Sequence, residues 1–111
     1  TVYGDGSVVR DFIYIDDAIR AIMKIVNGEN KHRTFNLGCG YGTSIKQVLT
    51  TIEKALEIKL KVSYIEGRKV DVPINYLDIS RYEKYYGALN PISIEDGIRK
   101  TADFMKQEYN L

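Results

Sequence analysis

Three glycines on alternate positions, Gly38, Gly40 and Gly42, separate the apolar run around Phe35 and Leu37 from a periodic run that begins at Ile45. A strand that passes through glycines into a helix N-terminus aims backbone N–H groups and the positive end of a dipole at one place, so such a turn favours an anion. Ser44 followed by Gln47 fits a capping box and starts the helix near Ile45. The spacing, however, is G-x-G-x-G. A dinucleotide fingerprint carries its third glycine one residue later, inside the helix, for close packing on the strand. Glu66 lies at a distance that suits a ribose-binding acid, but the run before it, "KLKVSYI", sets Leu60, Val62 and Tyr64 against Lys61 and Ser63. That alternation suits a half-exposed strand rather than a buried parallel one. The turn therefore reads as a capped structural element, with contact to a ligand left open.

The remaining elements are arranged around this turn. "TVYG" runs into a turn at Gly4-Asp5-Gly6, and "VVRDFIYI" reads as a strand. "DDAIRAIMKIVNG" predicts a helix capped by Asp16 or Asp17 and ended at Asn27-Gly28. Its stripe of Ala18, Ile19, Ile22, Ile25 and Val26 predicts a core-facing side, widened by Ala21 and Met23. "RTFNLG" reads as a buried strand. The helix from Ile45 carries Val48, Leu49, Ile52 and Leu56 on the same face, and "LKVSYI" is the next strand. "EGRKVDVPINYL" is an extended connector, because Pro73 keeps Val72 out of the helical region. Asp78 or Ser80 caps a short helix through Tyr82 and Tyr86, ended at Gly87. A last helix starts at Ser93 with Asp96 as the reciprocal capping group, and buries Ile94, Ile98, Ala102 and Met105. Strands alternating with helices imply an α/β fold with few strands.

With 111 residues the chain fits one domain. Sixteen basic and fifteen acidic residues, a net charge of +1, offer no cluster for nucleic acid. The single cysteine, Cys39, excludes an internal disulfide, and neither a signal peptide nor an apolar run of membrane-spanning length occurs, so the chain reads as cytoplasmic and away from membranes. The tyrosines at 82, 85 and 86, at helical spacing, read as amphipathic packing. The chain opens on Thr1 without a methionine, which reads as the interior of something longer.

Residues for catalysis are few. The single histidine, His32, stands in the polar stretch "ENKHR" and reads as solvated. Cys39 has no histidine beside it, although the helix N-terminus beyond Gly42 would lower its pKa. Tyr-x-x-x-Lys does not occur; after Tyr64 the fourth residue is Arg68. What remains is an anion-binding pattern. Arg10 lies inside an apolar strand, where a guanidinium needs a partner; Asp11, a buried group elsewhere or a ligand would each serve. Arg68 and Asp71 stand on the connector just past a strand end. A fork of donors suits phosphate oxygens and a carboxylate suits ribose hydroxyls, although such a pair in a loop is also common at plain surfaces.

The segments "VYGDGSVVRDFIYIDDAIRAI", "FNLGCGYGTSIKQVL", "RKVDVPINYLDIS" and "ISIEDGIRKTADFM", in this order, resemble the C-terminal part of NAD-dependent sugar-nucleotide epimerases and dehydratases, extended short-chain dehydrogenase/reductases that include UDP-glucose 4-epimerase. The resemblance runs over nearly the whole chain. It implies the C-terminal substrate-binding portion of that α/β fold, residues 1–111, with a small mixed sheet, about four helices and the N-terminal Rossmann domain absent. It also implies roles: Arg10 and Arg68 bind a nucleotide diphosphate, Asp71 the ribose, Tyr3 the uracil through ring or backbone, and Ile45 the base. Val70 stands where the family usually has glycine, which puts the path into Asp71 in question.

By the same resemblance the whole protein would be a UDP-sugar 4-epimerase. A tyrosine takes a sugar hydroxyl proton, NAD accepts hydride, and hydride returns to a 4-keto intermediate after the sugar turns over. The NAD fingerprint and the Tyr-x-x-x-Lys site lie upstream in the family, so this portion alone is expected to be inactive and to bind no NAD. Its first helix and "TFNLG" are expected to dock on the missing domain and, without it, to expose apolar faces that favour self-association into a homo-oligomer. A dehydratase or decarboxylase of the same family, or a non-catalytic protein-interaction module, are the competing readings.

Overall fold

The computed structural model describes residues 1–29 and 32–110. Its elements are β1 (Val2–Tyr3), β2 (Val9–Arg10), α1 (Ile15–Asn27), β3 (Thr43–Ser44), α2 (Ile45–Leu56), β4 (Tyr64–Ile65), α3 (Ser80–Tyr86) and α4 (Ile94–Tyr109). The α/β expectation holds, with four helices and pairing of both senses. β1 runs parallel to β4, with Tyr3 opposite Ile65; β2 runs antiparallel to β3, with Arg10 opposite Thr43. Ile74 of the connector adds a parallel bridge to Val9. The strands are shorter than their sequence patterns predict. "VVRDFIYI" is paired as a strand only at Val9–Arg10, and 33–38 forms no strand among the described residues. Strand length depends on a partner, and beyond these short ladders the extended segments have none among the described residues.

Local signals fared better. Ser44 Oγ accepts from the Gln47 N–H at 3.1 Å and the Gln47 amide oxygen accepts from the Ser44 N–H at 2.9 Å, the reciprocal box the sequence predicts. Ser93 Oγ accepts from the Asp96 N–H at 3.0 Å, but Asp96 returns its carboxylate to the Ser93 hydroxyl rather than to its backbone. Gly87 ends α3 with φ +81° as expected, but the N-cap of α3 is Ile79 with no side-chain cap; Asp78 accepts from the Ser80 N–H one residue earlier, and Ser80 is already the first helical residue. α1 departs from expectation. Its N-cap is Tyr14, without a side-chain cap. Asp17 is buried instead, holding Arg20 at 2.7 Å and accepting from the Ile92 N–H at 2.9 Å, which ties α1 to the approach of α4.

The core is small: Ala21, Tyr82 and Leu89, flanked by Ile25, Phe35, Leu37, Ile79 and Tyr86. Tyr82 and Tyr86 therefore pack as predicted, while Tyr85 is exposed and within 2.8 Å of His32 Nε2. His32 also sits edge-on to Phe35, so it is held rather than solvated. On α1 only Ala21 and Ile25 reach the core; Ile19, Ile22, Met23 and Val26 are exposed. Ile94, Ile98 and Ala102 of α4 are half-buried along an apolar groove between α4 and α2, but Met105 at its rim is exposed.

The result is a slab of 47 × 38 × 19 Å with 8323 Å² of accessible surface. A closed monomer of this mass exposes about 6,200 Å². Roughly 2,000 Å² of surface that a closed domain of this size would bury is thus open, much of it apolar.

Candidate functional site

Successive side chains of a strand point to opposite faces, and β2 uses both. On one face Val9 and Asp11 meet the glycine turn. Asp11 accepts from the N–H groups of Cys39 at 2.7 Å, Gly40 at 3.1 Å and Leu77 at 3.3 Å. The anion that the turn favours is therefore the protein's own carboxylate. Burial pushes the Asp11 pKa up, but these donors outweigh it and hold the carboxyl below the ordinary aspartate value. Gly38 makes room for the contact: a Cβ there would lie 2.5 Å from Asp11 Oδ2. Gly42 likewise leaves space for Val9 and Tyr76. The turn does not fit an NAD pyrophosphate, because Asp11 holds the donors that would cradle one. Burial and the adjacent Asp11 raise the Cys39 thiol pKa, against the lowering that the nearby helix N-terminus suggests.

On the other face Val8 and Arg10 enter a cavity of about 240 Å³. Arg10 Nη1 donates to the carbonyls of Val9 at 2.7 Å and Val72 at 2.6 Å. No carboxylate pairs with it among the described residues, Asp11 being turned away to Cys39 and Gly40. Tyr3, Ile45, Arg68 and Asp71 line the same cavity, so all five candidates drawn from the sequence converge although they span nearly seventy positions. Ile45 arrives at the first turn of α2, its N–H bonded to the Val8 carbonyl at 3.0 Å.

Arg68 and Asp71 close a four-residue turn. The Asp71 N–H donates to the Arg68 carbonyl at 3.1 Å, and Arg68 Nε and Nη2 fork onto the two Asp71 oxygens at 2.9 Å each. Val70, in the position where glycine is usual, has no positive φ, so the turn is one that a β-branched residue can adopt. The Arg68 guanidinium carbon lies 4.4 Å from the centre of the Tyr3 ring. Sequence reasoning missed the Asp11 anchor and this stacking. The first had a signal in the alternation of Arg10 and Asp11 beside a donor-rich turn; the second, between residues 65 apart, had none.

A model of the NAD dependent epimerase/dehydratase family matches residues 1–38. UDP-glucuronate 4-epimerase of Thermodesulfobacterium geofontis is 33% identical over 99% of this chain and 34% of its own length. The structure of UDP-glucose 4-epimerase from Thermotoga maritima with UDP-glucose superposes with a TM-score of 0.85 at 28% identity, over 97% of this chain and 35% of that one. That of UDP-glucose 4-epimerase from Bifidobacterium longum with NAD+ and UDP gives 0.86 at 27%, over 98% and 35%. The chain spans about a third of the length of the curated relatives it matches. No helix among the described residues is long and apolar enough to cross a membrane.

Proposed function

The chain belongs to the NAD-dependent epimerase/dehydratase family, and from that premise we propose that it is the C-terminal substrate-binding portion of a cytoplasmic, NAD-dependent UDP-sugar 4-epimerase. It binds the nucleotide-diphosphate part of the UDP-sugar. Arg10 and Arg68 take the diphosphate, Asp71 the ribose, and Tyr3 and Ile45 the region of the base. NAD and the proton-transferring tyrosine belong to an N-terminal dinucleotide-binding domain, and this portion alone is inactive.

One observation carries the reading: two guanidinium groups from segments 58 positions apart, with an aromatic ring, a carboxylate and an aliphatic side chain, share one cavity. At 240 Å³ it is smaller than the roughly 300 Å³ at which small-molecule sites begin, which suits a site whose sugar-binding half is supplied by another domain. The exposed apolar stripe of α1 supports the same view, because a stripe of Ile19, Ile22, Met23 and Val26 left in water favours docking or self-association.

Calorimetry of UDP with the full-length enzyme tests it. Arg10→Ala and Arg68→Ala each remove a charged contact and should weaken UDP by about 1.5–3 kcal/mol, roughly tenfold or more. Unchanged affinity in both variants, or no UDP binding by the unaltered protein, defeats the proposal and favours a protein-interaction module.

A further inference from the structure

An arginine at a surface turn ordinarily samples many rotamers, and ordering it is part of what a ligand must overcome. Arg68, with a side chain 55% exposed, is constrained from two directions. The Asp71 fork fixes the edge of the guanidinium through Nε and Nη2. The Tyr3 ring, whose centre lies 4.4 Å from its central carbon, covers one side of it.

The backbone that carries the ring is held. Tyr3 lies opposite Ile65 in the β1–β4 pair, between bonds from the Val2 N–H to the Ser63 carbonyl at 2.8 Å and from the Gly4 N–H to the Ile65 carbonyl at 2.9 Å. Past the pair, Gly4 and Gly67 face each other closely enough that a Cβ added at either would touch the Cα of the other, at 3.8 and 3.5 Å, so the backbones stay near each other up to Arg68. This two-strand sheet thus sets the separation of two side chains that are 65 residues apart. Its geometric product is a guanidinium bonded along one edge and covered on one side.

We propose that Tyr3 is a positioning residue, one that acts on ligand binding by holding the Arg68 guanidinium over its ring so that Nη1 meets an incoming diphosphate ready oriented. The proposal rests on the functional reading above and deepens it: the Tyr3 backbone stays with the region of the base, where a side-chain substitution leaves it in place, and the ring supports the phosphate-binding group. A ring face covered by a guanidinium is closed to a stacking base on that side.

The experiment is a mutant cycle in the full-length enzyme, read by calorimetry with UDP and with uridine, plus NMR of the arginine side chains. Tyr3→Leu should weaken UDP about three- to tenfold, and Tyr3→Phe by less than about twofold. The Tyr3→Leu loss should vanish when Arg68 is already alanine, and uridine affinity should not change. Tyr3→Leu should also release the hindered rotation of the Arg68 guanidinium, which Tyr3→Phe keeps. An equal loss in the Arg68→Ala background, a matching loss for uridine, or a guanidinium no freer in Tyr3→Leu overturns the proposal. Should the unaltered enzyme bind no UDP, the functional reading falls, and the NMR comparison by itself decides whether Tyr3 positions Arg68.

Discussion

Replacing Asp11 by alanine tests the central joint of the molecule. Its carboxylate accepts three backbone N–H groups, at 2.7 Å from Cys39, 3.1 Å from Gly40 and 3.3 Å from Leu77. Hydrogen bonds to a charged group contribute about 1.5–3 kcal/mol each; discounting the longest, and allowing water to reach a half-buried site, the loss should be about 3 kcal/mol. At about 1–2 kcal/mol per molar urea, the unfolding midpoint should fall by roughly 2 M. Amide exchange at Cys39 and Gly40 should speed up by the same free energy. Gly38→Ala provides the cross-check, since its Cβ would lie 2.5 Å from Asp11 Oδ2 and the residue needs no positive φ. It should destabilise the native protein yet cost nothing once Asp11 is alanine. The same carboxylate predicts a pH dependence. Its folded pKa is lowered, so its contribution is present above the unfolded value near 3.9 and is lost as pH falls through the folded value. An Asp11 carboxyl that titrates by NMR at or above 3.8, additive losses for the two substitutions, or a destabilisation under about 0.5 kcal/mol would refute the reasoning.

Three further substitutions probe the frame around the cavity. Gly42→Ala drives a Cβ into Val9 Cγ1 and to 3.0 Å from Tyr76 Cδ1, and should cost about 1–3 kcal/mol in thermal unfolding; a neutral result would mean that β2 and β3 are less tightly joined than they look. Ser44→Ala removes the cap of α2 and should cost about 1 kcal/mol by urea titration, with no loss if Gln47 alone secures the helix start. Glu57 ends α2 at φ +54°, so Glu57→Gly should stabilise by about 0.5–1 kcal/mol, and a lower melting temperature would contradict the strain assigned there.

What could be read in the sequence was set by how far apart the interacting groups lie. The Ser44 and Gln47 box was legible because its partners are three residues apart, and the end of α3 at Gly87 for the same local reason. Strand length was not, because a ladder is made with residues elsewhere in the chain; eight promising residues around Arg10 yield two that pair. The cap of α1 was misread since Asp17 is taken by Ile92, 75 positions away. Convergence of Tyr3, Arg10, Ile45, Arg68 and Asp71 came from family resemblance, as no spacing could supply it. The glycine turn shows how these levels connect. Its pattern correctly announced an anion, but the anion is Asp11, and strand alternation then sends Arg10 to the opposite face and into the cavity. A turn whose donors are held by Asp11 thereby governs where the guanidinium proposed to take the diphosphate points, so loosening Asp11 should weaken UDP through Arg10 without altering the proposed site.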